Sequence, residues 1–467
     1  MKIGLVGASY QMRSLPFDAQ RTVNLYPISD PKGKEISSLE GTPGLRLFAE
    51  AGIGAVRQGF VASNERAFIV SGTKLYELDS AGTATERGTI EQSSGNVTMD
   101  ENATQLAVCD GKSLYIFTYA TNTFAKVTDT DFPSSVGTVT AIDSYFVVNQ
   151  NGTGIFFISD VGNGSSWQAL EFATAEAKPD KLLRVINALG QLWLLGGVTG
   201  EVWTNTGAST FPFQRIAGAV MTTGILAPHT AIEVDTALFW VGRDKFGSGI
   251  VYRARGFTPH RISTDAIEYA IQKATDLENM RAWCYQQEGH VFYVLTGGGL
   301  ETSLVYDLTT GLWHERAFLN EDGDFEQHLG NCHMFAFGKH LVGDRQSGKV
   351  YELSLDVYSD NSSPILRERI FTHLSNEDQR IRLNELTISM KTGVGLQSGQ
   401  GSDPMLGLSI SKDMARTFGA QSLASIGKAG EYDTKVRYRR LGIAETVTFK
   451  ISISDPVPVS FLGAYLR

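Results

Sequence analysis

The sequence of 467 residues predicts an all-β chain, a six- or seven-bladed β-propeller inserted into a β-sandwich whose strands come from both chain ends. Three observations carry this prediction. A short phrase ending in an aromatic recurs along the middle of the chain. Each copy follows a second apolar run through a Gly/Asn/Asp turn. The C-terminal segment alternates apolar and polar residues with a period of two.

The recurring phrase begins as "SGTKLYEL" (71–78) and continues as "GKSLYIF" (111–117), "NGTGIFFIS" (151–159) and "TGEVWTN" (199–205). It returns as "GSGIVYRA" (247–254), "TSLVYDL" (302–308) and finally "SGKVYEL" (347–353). Its aromatics, Tyr76, Tyr115, Phe156, Trp203, Tyr252, Tyr306 and Tyr351, stand 39 to 54 residues apart. Stretches such as "RAFIVSGTKLYEL" and "GQLWLLGGVTGEVWTN" read as β-hairpins, with β-branched and aromatic residues flanking a turn. A hairpin repeated with further strands at this period is the mark of a propeller blade. One blade cannot bury both its faces, and its edges invite aggregation; packed radially, each blade covers the next. Whether the ring holds six or seven blades depends on whether early strands complete the last one.

One segment departs from the pattern. In "STDAIEYAIQKATDLENM" (263–280), Ile267, Ala270, Ile271, Ala274 and Leu277 share a helical face. Asp265 and Glu268 stand at capping-box spacing, and Ser263 or Thr264 could cap instead. An inserted helix is expected there, as a packing element or an oligomer contact.

The flanks are a head, residues 1–54, and a tail, residues 355–467, on either side of a propeller spanning 55–354. The head has two strand-like pieces, Thr22–Tyr26 and Leu45–Phe48, separated by Pro/Gly/Lys turn material. The tail strands are "RLNELTISMKTG" (382–393), "MLGLSISKD" (405–413), "DTKVRYRRLGIA" (433–444) and "TVTFKISISDPVPVSFLGAYLR" (446–467). Their turns suit an antiparallel sandwich. A head too small for a core of its own is expected to pack on the tail.

Composition narrows function. Apolar residues make up 42% of the chain and charged residues 19%, as in a folded globular protein. A net charge of −9 argues against grasping nucleic acid over the whole surface, because such binding needs phosphate neutralisation. Cys109, Cys284 and Cys332 are scattered, with no disulfide or metal-ligand spacing. The N-terminal apolar run is too short for a signal peptide, and no segment has the length of a transmembrane helix. Synthesis in the cytoplasm without export is therefore expected.

Motifs of catalysis are thin. The sequence has no G-x-S-x-G, H-E-x-x-H, P-loop or dinucleotide fingerprint, and its eight His are dispersed. "SISKDMARTF" (409–418) is similar to the S-x-D-x-G-x-T-W turn of sialidase propellers. Ser411, Asp413, Thr417 and Phe418 keep its outline, and Ala415 replaces the usual Gly. That turn is structural, and Arg437, Arg439 and Arg440 are not ordered as a carboxylate-binding triad. On an alternating strand Val436, Tyr438 and Arg440 share one face, and Lys435, Arg437 and Arg439 the other, which reads as a solvated or interface-pairing face. No catalytic, cofactor-binding or metal-binding residue is assigned, and no cofactor is expected. The alternative is a glycan-binding or sialidase-like propeller, and a third reading is a peptide-recruiting scaffold.

Head and tail together resemble the tail-hub, nozzle or packaged-DNA stabilisation proteins of short-tailed phages. The likeness rests on "QRTVNLYPI" (20–28), "GTPGL" (41–45), "SKDMARTF" (411–418), "YRRLG" (438–442) and "SDPVPV" (454–459), in that order. The resemblance implies a structural virion protein, not an enzyme, that assembles as a homo-oligomeric ring of six copies below the portal and its adaptor. It implies attachment of a needle or plug and of tailspikes, with DNA passing through the channel without sequence-specific binding. A net acidic conduit fits, since its wall repels phosphate.

Overall fold

The structure is a computed structural model that describes residues 1–12, 19–29, 37–175, 178–376 and 379–467. Among these residues seven antiparallel sheets form a ring. Blades 1 to 4 span 56–89, 98–126, 136–174 and 182–221, each a four-stranded meander. Blade 5 (224–261) has its innermost strand split into Gly224–Ile225 and Ile232–Val234. Blade 6 spans 280–319, and blade 7 begins at 330. The innermost strands touch around the whole circle, and the last, Gly330–Ala336, lies against the first, Val56–Val61.

Each recurring aromatic falls on the third strand of its blade. There the side chain is wedged between neighbouring blades: Tyr115 beside Phe68 and Phe117, Tyr252 beside Trp193 and Trp240, Tyr351 beside Trp283 and Val342. Seven such apolar clusters, one per blade boundary, replace a single core. Three of the tyrosines also donate to a turn aspartate, Tyr115 to Asp110 (3.2 Å), Tyr252 to Asp244 (3.4 Å) and Tyr351 to Asp344 (3.0 Å). Polar residues two apart sew the innermost strands together. Thr98 and Asp100 accept from the amides of Val139 and Ala141, and Thr138 and Thr140 from those of Val185 and Asn187.

Blade 7 takes only three strands from its own segment, Gly330–Ala336, Lys339–Asp344 and Lys349–Ser354. Its fourth is the head strand Gly44–Glu50, paired antiparallel so that Leu45 faces Leu353 and Gly44 faces Ser354. The head boundary expected at 54 is thus corrected: Leu45–Phe48 belongs to the ring. The physical reason is edge closure. The free edge of Lys349–Ser354 is satisfied by the earliest available strand, which locks the circle and settles its blade number at seven. Gly44 is hemmed in, for a Cβ there would meet the carbonyl oxygens of Val357 and Ser359, each at 2.5 Å. Gly44→Ala is expected to cost about 1–3 kcal/mol, seen as a lower denaturant midpoint.

Other described strands of the head join the tail in a sandwich. One sheet runs Leu25–Ser29, Ser37–Gly41, Ser460–Leu466, Ile381–Met390, Val436–Ala444, with Lys2–Ile3 also paired to Ser460–Leu466. The facing sheet is Arg367–Ile370, Thr446–Ile453, Met405–Ser411, Ser422–Ser425. Ile3, Leu5, Leu25 and Leu39 from the head share a buried cluster with Leu386, Leu408, Phe449 and Phe461. The expected tail strands are found, whereas the Pro/Gly/Lys turn material of the head lies mostly outside the described residues.

The helix is shorter than expected, Asp265–Lys273, with Thr264 as its cap through a bond from the Ile267 amide. Ala274 turns extended, a short 3₁₀ turn follows at Leu277–Asn279, and the first strand of blade 6 begins at Met280. Strand pairing in blade 6 ends the helix: the Asp276 amide bonds Gly298 O at 2.9 Å, tying the chain to the next hairpin. Ile267 and Ile271 pack the helix between blades 5 and 6.

Candidate functional site

The phrases of the head do structural work at one place, the junction of ring and sandwich. Ala19–Val23 lies between the outer strand of blade 6, Leu312–Leu319, and the sandwich strand Arg367–Ile370. Backbone pairing therefore runs without a break from the propeller into the sandwich. The buried Asn24, at a φ of 55° that suits Asn, bridges the parts. Its amide nitrogen donates to Ala317 O and Leu366 O, each at 2.9 Å, while its side-chain oxygen accepts from the Ala317 amide.

Charged groups are buried here in compensated form. Arg21 pairs with Glu315 at 2.9 Å, and Glu315 also accepts from Ser9 (2.5 Å) and Thr302 (2.9 Å). Burial alone would raise the Glu315 carboxyl, but the Arg21 guanidinium and these donors hold it below the usual range. This pair lines a cleft of about 560 Å³ between the helix, the Gly299–Thr302 turn and the head, and there the two charges are each other's partners. Arg369, wholly buried, donates to Leu5 O, Ala8 O, Thr22 Oγ1 and Gln20 Oε1. Burial lowers its guanidinium to about 9, still charged at neutral pH.

"GTPGL" is explained by the same crowding. A Cβ on Gly41 would sit 2.8 Å from Arg367 Nε, and Pro43 O accepts from the buried Arg316 at 2.9 Å. Beside these arginines burial raises the Asp360 carboxyl to about 7, less than it would without Arg316 and Arg367 nearby.

The sialidase-like turn uses its side chains on itself. Ser411 Oγ donates to Asp413 Oδ1 (2.6 Å), and Asp413 accepts from the Thr417 hydroxyl (2.5 Å) and amide (3.0 Å). These donors hold the Asp413 carboxyl well below its usual range. Ala415 adopts the left-handed conformation expected of the missing Gly (φ 63°), with its methyl buried against Ala19 and Ile370. Phe418 lies under Lys450, Nζ 4.7 Å from the ring centroid.

The strand Val436–Ala444 alternates as expected at first: Val436 and Tyr438 are buried, and Arg437 and Arg439 exposed. Arg440 departs from the expectation. Its φ of 59° and the register shift opposite Leu383–Glu385 make a bulge that turns the side chain outward. Arg439 pairs with Glu385 at 2.9 Å, so the three arginines are not gathered into a triad. Beyond the bulge Ile443 is 56% exposed between two shallow grooves of about 680 and 550 Å³.

Cys109 and Cys332 are buried and Cys284 half-buried, all as free thiols. Burial pushes the Cys109 thiol up to about 12 and Cys284 to about 11. Among the described residues no group of three His, Cys, Asp or Glu could hold a metal, and no helix is long and apolar enough to cross a membrane. The histidines are less dispersed than the sequence suggests, since His290, His314, His328, His333 and His340 gather in blades 6 and 7 among Tyr26, Trp283, Tyr285 and Phe292. Among the described residues neither ring nitrogen of His314 has a hydrogen-bond partner. Regular His spacing along the sequence does not announce this cluster. It arises because neighbouring strands stack their outward residues on a common blade boundary.

Residues 1–358 match the family described as "Bacteriophage P22 Gp10, beta-propeller", and residues 367–467 match "Bacteriophage P22 Gp10, beta-sandwich". No curated relative matches the chain. Among solved structures, the chain is similar to the extracellular domain of a putative hybrid two-component system from B. thetaiotaomicron, at 10% identity and a TM-score of 0.45. That likeness covers 67% of this chain and 39% of the other. The computationally designed Ika8 protein matches at 13% identity and a TM-score of 0.38, over 72% of this chain and all of that one.

Proposed function

Because this chain belongs to the bacteriophage P22 Gp10 family, the packaged-DNA stabilisation or tail-hub proteins, which are structural proteins of the virion tail, we propose that it is the subunit of a nozzle ring. Six copies form the ring below the portal and its adaptor, extend the DNA channel, and help retain packaged DNA. The ring also offers attachment sites for a needle or plug and for tailspikes. The protein is made in the host cytoplasm and joins the tail there.

The observation that carries this reading is the unbroken sheet from blade 6 through Ala19–Val23 into the sandwich. It makes ring and sandwich one stiff wedge with broad faces, the shape that repeated head-to-tail contacts need to close a circle. The net charge of −9 supports a conduit past which DNA slides without adhering. Glycan chemistry has less support, since the Asp413 turn spends its polar groups internally.

Negative-stain imaging of the purified protein mixed with portal–adaptor complexes tests the proposal. The expected result is a ring of extra density coaxial with the portal channel. Bare portal–adaptor complexes under assembly conditions would overturn it.

A further inference from the structure

We propose that the outer face of the sandwich sheet containing Val436–Ala444 docks on the propeller of a neighbouring copy, at the face bearing the turns between first and second strands. This rests on the ring reading above and supplies its subunit contact. The first observation is an exposed sheet face of unusual character for an acidic chain. Lys2, Tyr465, Thr387 and Arg437 stand side by side across four strands, with Tyr465 43% and Leu462 54% exposed. Farther along, the two grooves flanking Ile443 are lined by six cations, Arg380, Arg382, Lys412, Arg416, Arg439 and Arg440, against three carboxylates. A central apolar side chain with a charged rim is the anatomy of a protein contact.

The second observation is the complementary surface. In every antiparallel blade, the turn from first to second strand and that from third to fourth emerge on the same face of the ring. On that face the first turns of blades 1, 3, 5 and 6 present the exposed Glu65, Asp143, Asp235 and Glu288. Exposed apolar residues lie among them, Leu189 in blade 4 and Phe335 in blade 7. Opposite charge on two different surfaces of one chain favours a heterologous contact, and the continuous sheet between those surfaces fixes its angle.

Sedimentation velocity of the full chain tests this with two variants, R382E/I443E on the sandwich and E65Q/D143N/D235N/E288Q on the propeller. Far-UV circular dichroism and the thermal midpoint verify that each variant is folded. Wild type is expected to self-associate, and to do so less at high salt. Each variant alone is expected to bind itself at least about tenfold more weakly. An equimolar mixture is expected to stop at a dimer, because each partner keeps one intact surface. If either folded variant associates like wild type, or the mixture stays monomeric, the interface is wrong although a ring could still form through other surfaces. A wild-type chain that stays monomeric at all concentrations also overturns this contact, while portal–adaptor imaging decides the ring separately.

Discussion

Substituting Arg369 with alanine is expected to destabilise the protein by about 3–5 kcal/mol, the range for removing a buried charged group from a hydrogen-bonded site. The side chain is fully buried and its partners are neutral oxygens: the carbonyls of Leu5 and Ala8, the Thr22 hydroxyl and the Gln20 side chain. All four lie in the head. One tail residue therefore ties down the head at Leu5, Ala8, Gln20 and Thr22, and its loss removes a donor from each and opens a cavity beside them. Arg369→Lys keeps the charge but lacks the planar fork, so it is expected to recover only part of the loss. Arg369→Met restores volume without donors and separates packing from hydrogen bonding. Guanidinium unfolding monitored by far-UV circular dichroism measures the series. A loss below about 1 kcal/mol for Arg369→Ala would mean that the head is held by its apolar contacts instead.

Acidification is the second strong perturbation. Burial, reinforced by nearby cations, holds His229 and His328 well below the ordinary imidazole value. Burial likewise lowers His314 and His333 to about 3, the latter with help from His340. In the unfolded chain these rings take up a proton near pH 6.5. Above that pH both states are neutral there, and the full stability is present. Below it the unfolded state binds protons that the folded state refuses, so stability falls by about 1.4 kcal/mol per pH unit for each such histidine until the folded value is reached. Asp360 runs the other way: its carboxyl, raised to about 7, is protonated in the folded state first, which adds stability as pH falls from 7 to the unfolded carboxyl range. One carboxyl does not offset four histidines. Between pH 7.5 and 5 the four histidines and Asp360 together give an expected net loss on the order of 5 kcal/mol in urea unfolding. His314→Leu should flatten the slope, and an unchanged midpoint over this range would contradict neutral burial of the rings.

The ring was legible because it is periodic. Tyr76, Tyr115, Trp203, Tyr252 and Tyr351 each occupy the third strand of a blade, and a local pattern repeated seven times is hard to miss. The sandwich strands of the tail were legible for a similar reason, as in Ile381–Met390, whose Leu383, Leu386, Ile388 and Met390 all face the core. The closing strand was not. Nothing in "GLRLFAE" itself distinguishes a sandwich strand from the fourth strand of a blade whose other members lie 300 residues away, because pairing choice is non-local. The junction was also hidden. Arg316, Arg367 and Arg369 are nearly wholly buried, whereas arginine in a sequence reads by default as surface. The bulge at Arg440 has only a faint sign in the sequence, a nearby Gly442, so a strict period of two fails at that residue. The candidate contact face was visible as a basic strand. Its neighbours Arg380, Arg382 and Lys412 come from distant segments that only the fold brings beside Ile443.

Hydrogen exchange across Gly44–Glu50 and Arg367–Ile370 tests most directly whether the two chain ends lock ring and sandwich into one body. The amides of both strands should exchange as slowly as those of Ala67–Ser71 in the middle of blade 1, and should be released together with them. Early, independent exchange of Gly44–Glu50 with blade 1 still protected would mean an open ring, and with it the loss of the rigid wedge on which the hub role depends.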